Sequence, residues 1–79
     1  MVVYVTSFED FKQYVDCAKT VFYRLLDGEI RIFAGRVGVK VQFRNEKERD
    51  AILKWLAELE QTKTVIEIED IESEDTFFI

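Results

Sequence analysis

The stretch Lys19-Thr20-Val21-Phe22-Tyr23-Arg24-Leu25-Leu26-Asp27-Gly28-Glu29-Ile30-Arg31-Ile32-Phe33 decides the fold, because its first half fits two different periods. Joined to residues 8–18, it continues a helix. Apolar residues fall at Phe8, Phe11, Tyr14, Val15, Ala18, Val21, Phe22, Leu25 and Leu26, three and four apart, and Asp27-Gly28 supplies the stop. Joined instead to residues 29–33, it is a strand: the helix ends near Lys19, and residues 21–26 pair with residues 29–33 across Asp27-Gly28, a type I′ hairpin signal. The helical period accounts for more residues and is preferred here, with the hairpin as its rival.

Upstream, Val2-Val3-Tyr4-Val5 is a β-favouring run closed by Thr6-Ser7, and Glu9 stands at capping-box distance from Thr6. Downstream the period becomes two. Ile30 and Ile32 share one side, and after the connection Ala34-Gly35-Arg36, Val37, Val39, Val41 and Phe43 alternate with Gly38, Lys40 and Gln42. Asn45 offers a helix cap with Glu48 three residues on, and Ile52, Trp55, Leu56 and Leu59 form one stripe of a second helix ending near Gln61. Residues 64–68 alternate again, with Ile66 and Ile68 on one face.

The resulting βαββαβ order resembles the ferredoxin-like split βαβ architecture: an α+β two-layer sandwich with two helices on one face of an antiparallel sheet. The resemblance implies central positions for strands one and three and an open second face. The rival parse, α-β-β-β-α, is similar in order to the small RNA-binding subunits of the signal recognition particle Alu domain. Ser7-Phe8-Glu9-Asp10-Phe11 is similar to their opening helix. Their strongly basic character is missing here, and their function is not carried over. The expected organisation is one domain over residues 1–69 and an acidic tail over residues 70–79 with an apolar end.

A chain of 79 residues has room for one modest core, and seven Phe, three Tyr and one Trp can fill it without staples. The single Cys17 forms no internal disulfide, which favours a reducing, cytoplasmic setting, or the host cytoplasm for a viral chain. No apolar run approaches the ~20 residues that cross a bilayer. Ten Glu and six Lys against three Gln, one Asn and no His lean towards thermophile usage and an archaeal or viral source.

Enzyme chemistry is not expected. Without His, the common proton shuttle and zinc ligand are missing, and Cys17 has no imidazole to activate it, so it reads as a small packing residue of the first helix. Gly35-Arg36-Val37-Gly38 neither continues to a Lys-Ser/Thr pair nor opens a helix, so it reads as a hairpin turn and not a phosphate loop. The carboxylates stand outside apolar runs, and the tail lacks the Asp/Asn-Gly loop of a calcium site. No cofactor or metal is implied.

Charge is unevenly spread: net −1 over residues 1–23, +3 over 24–44 and −7 over 45–79. Glu67, Glu69, Asp70, Glu72, Glu74 and Asp75 precede Phe77, Phe78 and Ile79. Clustered carboxylates keep a segment solvated, whereas a terminal apolar group needs a pocket. This suits a tail that docks into a basic, apolar groove on a protein partner, much as the tips of bacterial single-stranded DNA-binding proteins do, or that folds back on its own core. An acidic surface of this kind also suits mimicry of nucleic acid. The alternative site is the open sheet face, where Tyr4, Arg31, Phe33, Arg36, Lys40 and Arg44 mix rings with cations suited to single-stranded nucleic acid. The same face could instead bury Tyr4 and Phe33 in a homodimer. An isoelectric point near 4.7 opposes a polyanion, so a protein partner is the leading expectation.

Overall fold

The ambiguous stretch forms a strand. In the computed structural model, which describes residues 2–68, the elements run β1 (Val3–Val5), α1 (Phe8–Cys17), β2 (Thr20–Leu26), β3 (Glu29–Ala34), β4 (Val37–Gln42), α2 (Glu46–Leu59) and β5 (Thr64–Glu67). The expected helix through Leu26 is therefore corrected. The helix ends at Cys17, Ala18 is already extended (φ −92°, ψ 143°), and the hairpin reading holds. Thr20-Val21-Phe22-Tyr23 is β-branched and aromatic, and cross-strand pairing with β3 outweighs the three-and-four spacing. Gly28 takes the left-handed conformation (φ 77°), and among the described residues only glycines do, so Asp27-Gly28 is not the type I′ turn that the dipeptide favours.

Helix starts follow the caps, with one shift. Ser7 and not Thr6 caps α1, its hydroxyl accepting from the Asp10 amide at 3.4 Å. Asn45 Oδ1 accepts from the Glu48 amide at 3.0 Å, and Glu48 Oε1 accepts from the Arg44 amide at 3.0 Å. Cys17 is exposed, which corrects its expected packing role.

The architecture is α+β, with a five-stranded mixed sheet in the order β1-β4-β3-β2-β5. β2, β3 and β4 form an antiparallel meander, while β1 joins β4 and β5 joins β2 in parallel. This differs from the ferredoxin-like arrangement. Once residues 20–26 become a strand, the meander occupies the centre and β1 moves to an edge. The helices lie in the two long connections, β1-α1-β2 and β4-α2-β5. Each thereby delivers one parallel edge pairing, β1 with β4 and β5 with β2.

Both helices pack on one face. Phe11 and Val15 of α1 and Leu56 of α2 meet Val21, Ile30, Ile32, Ala34 and Val39, all buried, and the Phe8 ring stands edge-on to Trp55 at 5.1 Å. Burying each large side chain contributes roughly 1.5–3 kcal/mol before entropy is counted. Lys63, just beyond α2, donates to the carbonyls of Ala18 (2.8 Å) and Asp16 (3.4 Å). It thereby satisfies acceptors at the C-terminal end of α1, which has no basic residue in its own last turn. No helix among the described residues is long and apolar enough to cross a membrane.

Candidate functional site

Alternation along each strand sends every second side chain to the face that carries no helix. Register then sorts these side chains into two rows across the sheet. The first runs Tyr4, Gly38, Phe33, Phe22, Ile66, neighbours on β1, β4, β3, β2 and β5. The second runs Lys40, Arg31, Arg24 on β4, β3 and β2. Ile68 stands abreast of Arg24, its amide donating to the Tyr23 carbonyl at 2.7 Å. An aromatic row thus lies beside a cationic row, about 7 Å away along the strands.

Gly38 makes the aromatic row continuous. A Cβ there would lie 2.9 Å from Phe33 Cδ1 and 3.1 Å from Tyr4 Cε1, so only glycine lets the two rings meet edge-on, 6.0 Å between centroids. Phe33 is fully buried and has little room to yield. Gly38→Val is expected to lose about 1–3 kcal/mol of stability. Thermal unfolding checks this: an unchanged midpoint would mean that the rings do not meet over Gly38.

In the cationic row, like charges face one another across strands, an arrangement that costs stability unless anions answer it. Glu29 pairs with Arg31, its carboxylate 2.9 Å from Arg31 Nε. Lys40 Nζ lies 4.6 Å from the centre of the Tyr4 ring, which holds its charge over the boundary between the rows. Phe33 is fully buried and Arg24 is only 5 % exposed, although neither helix lies on this side, and Val2, Phe22 and Ile68 pack around Phe33. Tyr4 and Ile66 are the exposed ends of the aromatic row.

Tyr4, Arg31, Phe33 and Lys40 therefore come together as the alternation predicts. Arg36 and Arg44 do not join them: both are exposed, Arg36 in the β3–β4 turn and Arg44 between β4 and the α2 cap. Phe22 and Arg24 complete the rows, and the helical period had no place for them on this face. The signal that could have found them is the opposition of Phe22 to Phe33 and of Arg24 to Arg31 when residues 20–34 are folded about Asp27-Gly28.

Of the acidic candidates, Glu67 lies on β5 beside Tyr23, on the helix side of the sheet. Glu69, Asp70, Glu72, Glu74, Asp75, Phe77, Phe78 and Ile79 lie outside the described residues. Burial first, then the charges of Glu67 and Glu60 and a hydrogen bond to Glu67, push the Tyr23 phenol above its ordinary value of 10.0. A phenol raised in the folded state keeps its proton after the unfolded chain has lost it. Its contribution is present below pH 10 and lost as pH rises through the folded value. Glu67→Gln should bring this titration down towards the ordinary value. Phenolate absorbance, taken as the difference between each protein and its Tyr23→Phe counterpart, isolates the group, and an unmoved titration would remove Glu67 as a cause.

All eleven Lys and Arg lie within residues 1–68, together with eleven of the sixteen Asp and Glu. That part of the chain is neutral, and the entire net charge of −5 sits on residues 69–79. Among the described residues no group of three or more His, Cys, Asp or Glu is placed to hold a metal ion. Compared with protein-family models, with curated proteins and with solved structures, the chain matches none.

Proposed function

We propose that this chain is a non-catalytic interaction protein whose helix-free sheet face takes an acidic peptide segment bearing aromatic side chains. The observation that carries this reading is the cationic row Arg24, Arg31, Lys40 in register beside the aromatic row Tyr4, Phe33, Phe22. Carboxylates are complementary to a row of three cations and apolar side chains to a row of rings, so one ligand matches both rows. Segment 69–79 of this chain illustrates the composition such a ligand needs, carboxylates followed by Phe77, Phe78 and Ile79.

The same rows support single-stranded nucleic acid as a second reading, with bases on rings and phosphates on cations. One feature favours the peptide: stacked bases need open ring faces, which the fully buried Phe33 and the half-buried Phe22 do not offer, whereas apolar side chains pack on the exposed ends of the row, Tyr4 and Ile66.

The test is a titration of the full-length, 15N-labelled chain with a peptide of consecutive glutamates ending in a phenylalanine pair, with its lysine counterpart, and with oligothymidylate. Salt-sensitive shifts at Arg24, Arg31, Phe33 and Lys40 with the acidic peptide alone are expected. Shifts with oligothymidylate in its place would transfer the site to nucleic acid, and none with any ligand at about millimolar concentration would end both readings.

A further inference from the structure

We propose that this chain forms a two-fold homodimer in which β5 pairs antiparallel with β5 of a second copy, joining two five-stranded sheets into one of ten strands.

The backbone sets the phase of the pairing. β5 is the last strand in the order β1-β4-β3-β2-β5, and no described strand lies beyond it. The Thr64 amide donates to the Lys19 carbonyl at 3.2 Å and the Ile68 amide to the Tyr23 carbonyl at 2.7 Å. Alternation therefore turns the backbone groups of Thr64, Ile66 and Ile68 towards β2 and those of Val65 and Glu67 outwards. An antiparallel neighbour satisfies the outward groups only where its own outward residues stand opposite. A two-fold axis at Ile66 meets that condition: Val65 faces Glu67 of the second copy and Glu67 faces its Val65, each pair exchanging both backbone hydrogen bonds. Thr64-Val65-Ile66-Glu67 carries no proline, lysine or bulge, devices that blunt an edge against such pairing.

The side chains agree with this axis. Ile66 faces Ile66 of the second copy in the closer, non-hydrogen-bonded kind of pair, and each covers the other's apolar surface, 39 % exposed in the single chain. The aromatic rows of the two copies then meet end to end at Ile66.

Charge selects the occupant. On the helix side, Lys63 precedes β5 beside Lys19, and Glu67 closes the strand next to Tyr23. Among the described residues neither lysine is ion-paired. Antiparallel pairing sets Glu67 of each copy diagonal to Lys63 of the other, about 7–8 Å apart along the backbone and within reach of long side chains. A parallel neighbour would instead set lysine beside lysine and glutamate beside glutamate. β1 of a second copy, Val3-Tyr4-Val5, offers neither charge. The paired positions, residues 64–68, are far fewer than the roughly 20–30 residues a side of a standard interface, so the dimer is weak and forms at about 0.1–1 mM chain.

The test is sedimentation equilibrium of the full chain from about 10 µM to 2 mM, with 15N spectra across the same dilution series. A monomer–dimer equilibrium with concentration-dependent shifts at the Val65 and Glu67 amides is the expected result. A chain that stays monomeric throughout overturns the proposal. Shifts centred on Arg31 and Lys40, the mark of stacked sheet faces, also overturn it, as do shifts at residues 3–5 together with 64–67, the mark of head-to-tail pairing of β1 with β5.

Ile66→Lys and Ile66→Glu locate the axis. Each sets like charges opposite one another and should weaken its own dimer at least about tenfold, whereas an equimolar mixture of the two should recover a heterodimer at least as strong as the wild-type dimer. Either variant dimerising at wild-type strength, or a mixture of folded variants that recovers nothing, removes the axis from Ile66 and overturns the proposal.

Discussion

Phe33→Ala is expected to lower stability by about 3–5 kcal/mol, the range for removing a fully buried phenylalanine. Phe33 has no accessible surface and sits on β3 with its ring over Gly38 and against Tyr4, Ile68 and Val2. A chain of 79 residues has only about 4–12 kcal/mol of total stability, so the variant should be close to unfolding at ordinary temperature. Phe22→Ala, its half-buried neighbour in the same row, should lose about 1–2 kcal/mol less. Urea unfolding followed by far-ultraviolet circular dichroism measures both, with an unchanged m-value indicating that the folded state is the same. The size of the loss at Phe33 is the informative part. A ring on a wet sheet face would lose about 1 kcal/mol, so a value under about 1.5 kcal/mol would show that this face is not a second core.

Where the period is unambiguous, the chain can be read almost to the residue. β4 alternates without interruption, the Asn45-Glu48 cap opens α2, and residues 64–67 form β5. The face assignments of Tyr4, Arg31 and Lys40 come from that alternation alone. Residues 20–26 mislead because their apolar positions satisfy a three-and-four spacing in continuation of α1, while what selects the strand is non-local: six paired positions with β3 and four with β5. A local pattern cannot weigh pairings with residues some forty positions away, as Val21 with Val65. The same ambiguity hides Phe22 and Arg24, and with them the two-row structure of the face. It also sets the strand count at four, which makes a ferredoxin-like sheet the natural expectation. Lys63 illustrates a different limit. Its donation to the Ala18 carbonyl joins two helix ends that only the tertiary fold brings together, and its own neighbours in the sequence carry no sign of it.

Lys40→Glu is expected to weaken binding of an acidic, aromatic peptide by roughly thirtyfold, on the order of 2 kcal/mol, since it removes one attraction and adds a repulsion. Lys40 is the exposed end of the cationic row, held 4.6 Å from the Tyr4 ring centre and opposite Arg31. Its charge is therefore available to a ligand that lies along the row, and Lys40→Gln should produce about half the effect. The effect should shrink as salt is raised, because charges separated by more than about 8 Å are screened at physiological ionic strength. Polarisation titrations at low and high salt measure this, and a reversal that left affinity within about twofold would move the peptide off this face. Charge alone cannot distinguish a peptide from a nucleic acid, because both are anionic. Tyr4→Leu separates them: it removes an exposed ring face, which costs a stacked base about 1–3 kcal/mol, yet it keeps an apolar surface that a phenylalanine side chain can still cover. A ligand that tolerates Tyr4→Leu but not Lys40→Glu is therefore a peptide reading charge and apolar area, and one that loses affinity with both is a base-stacking strand.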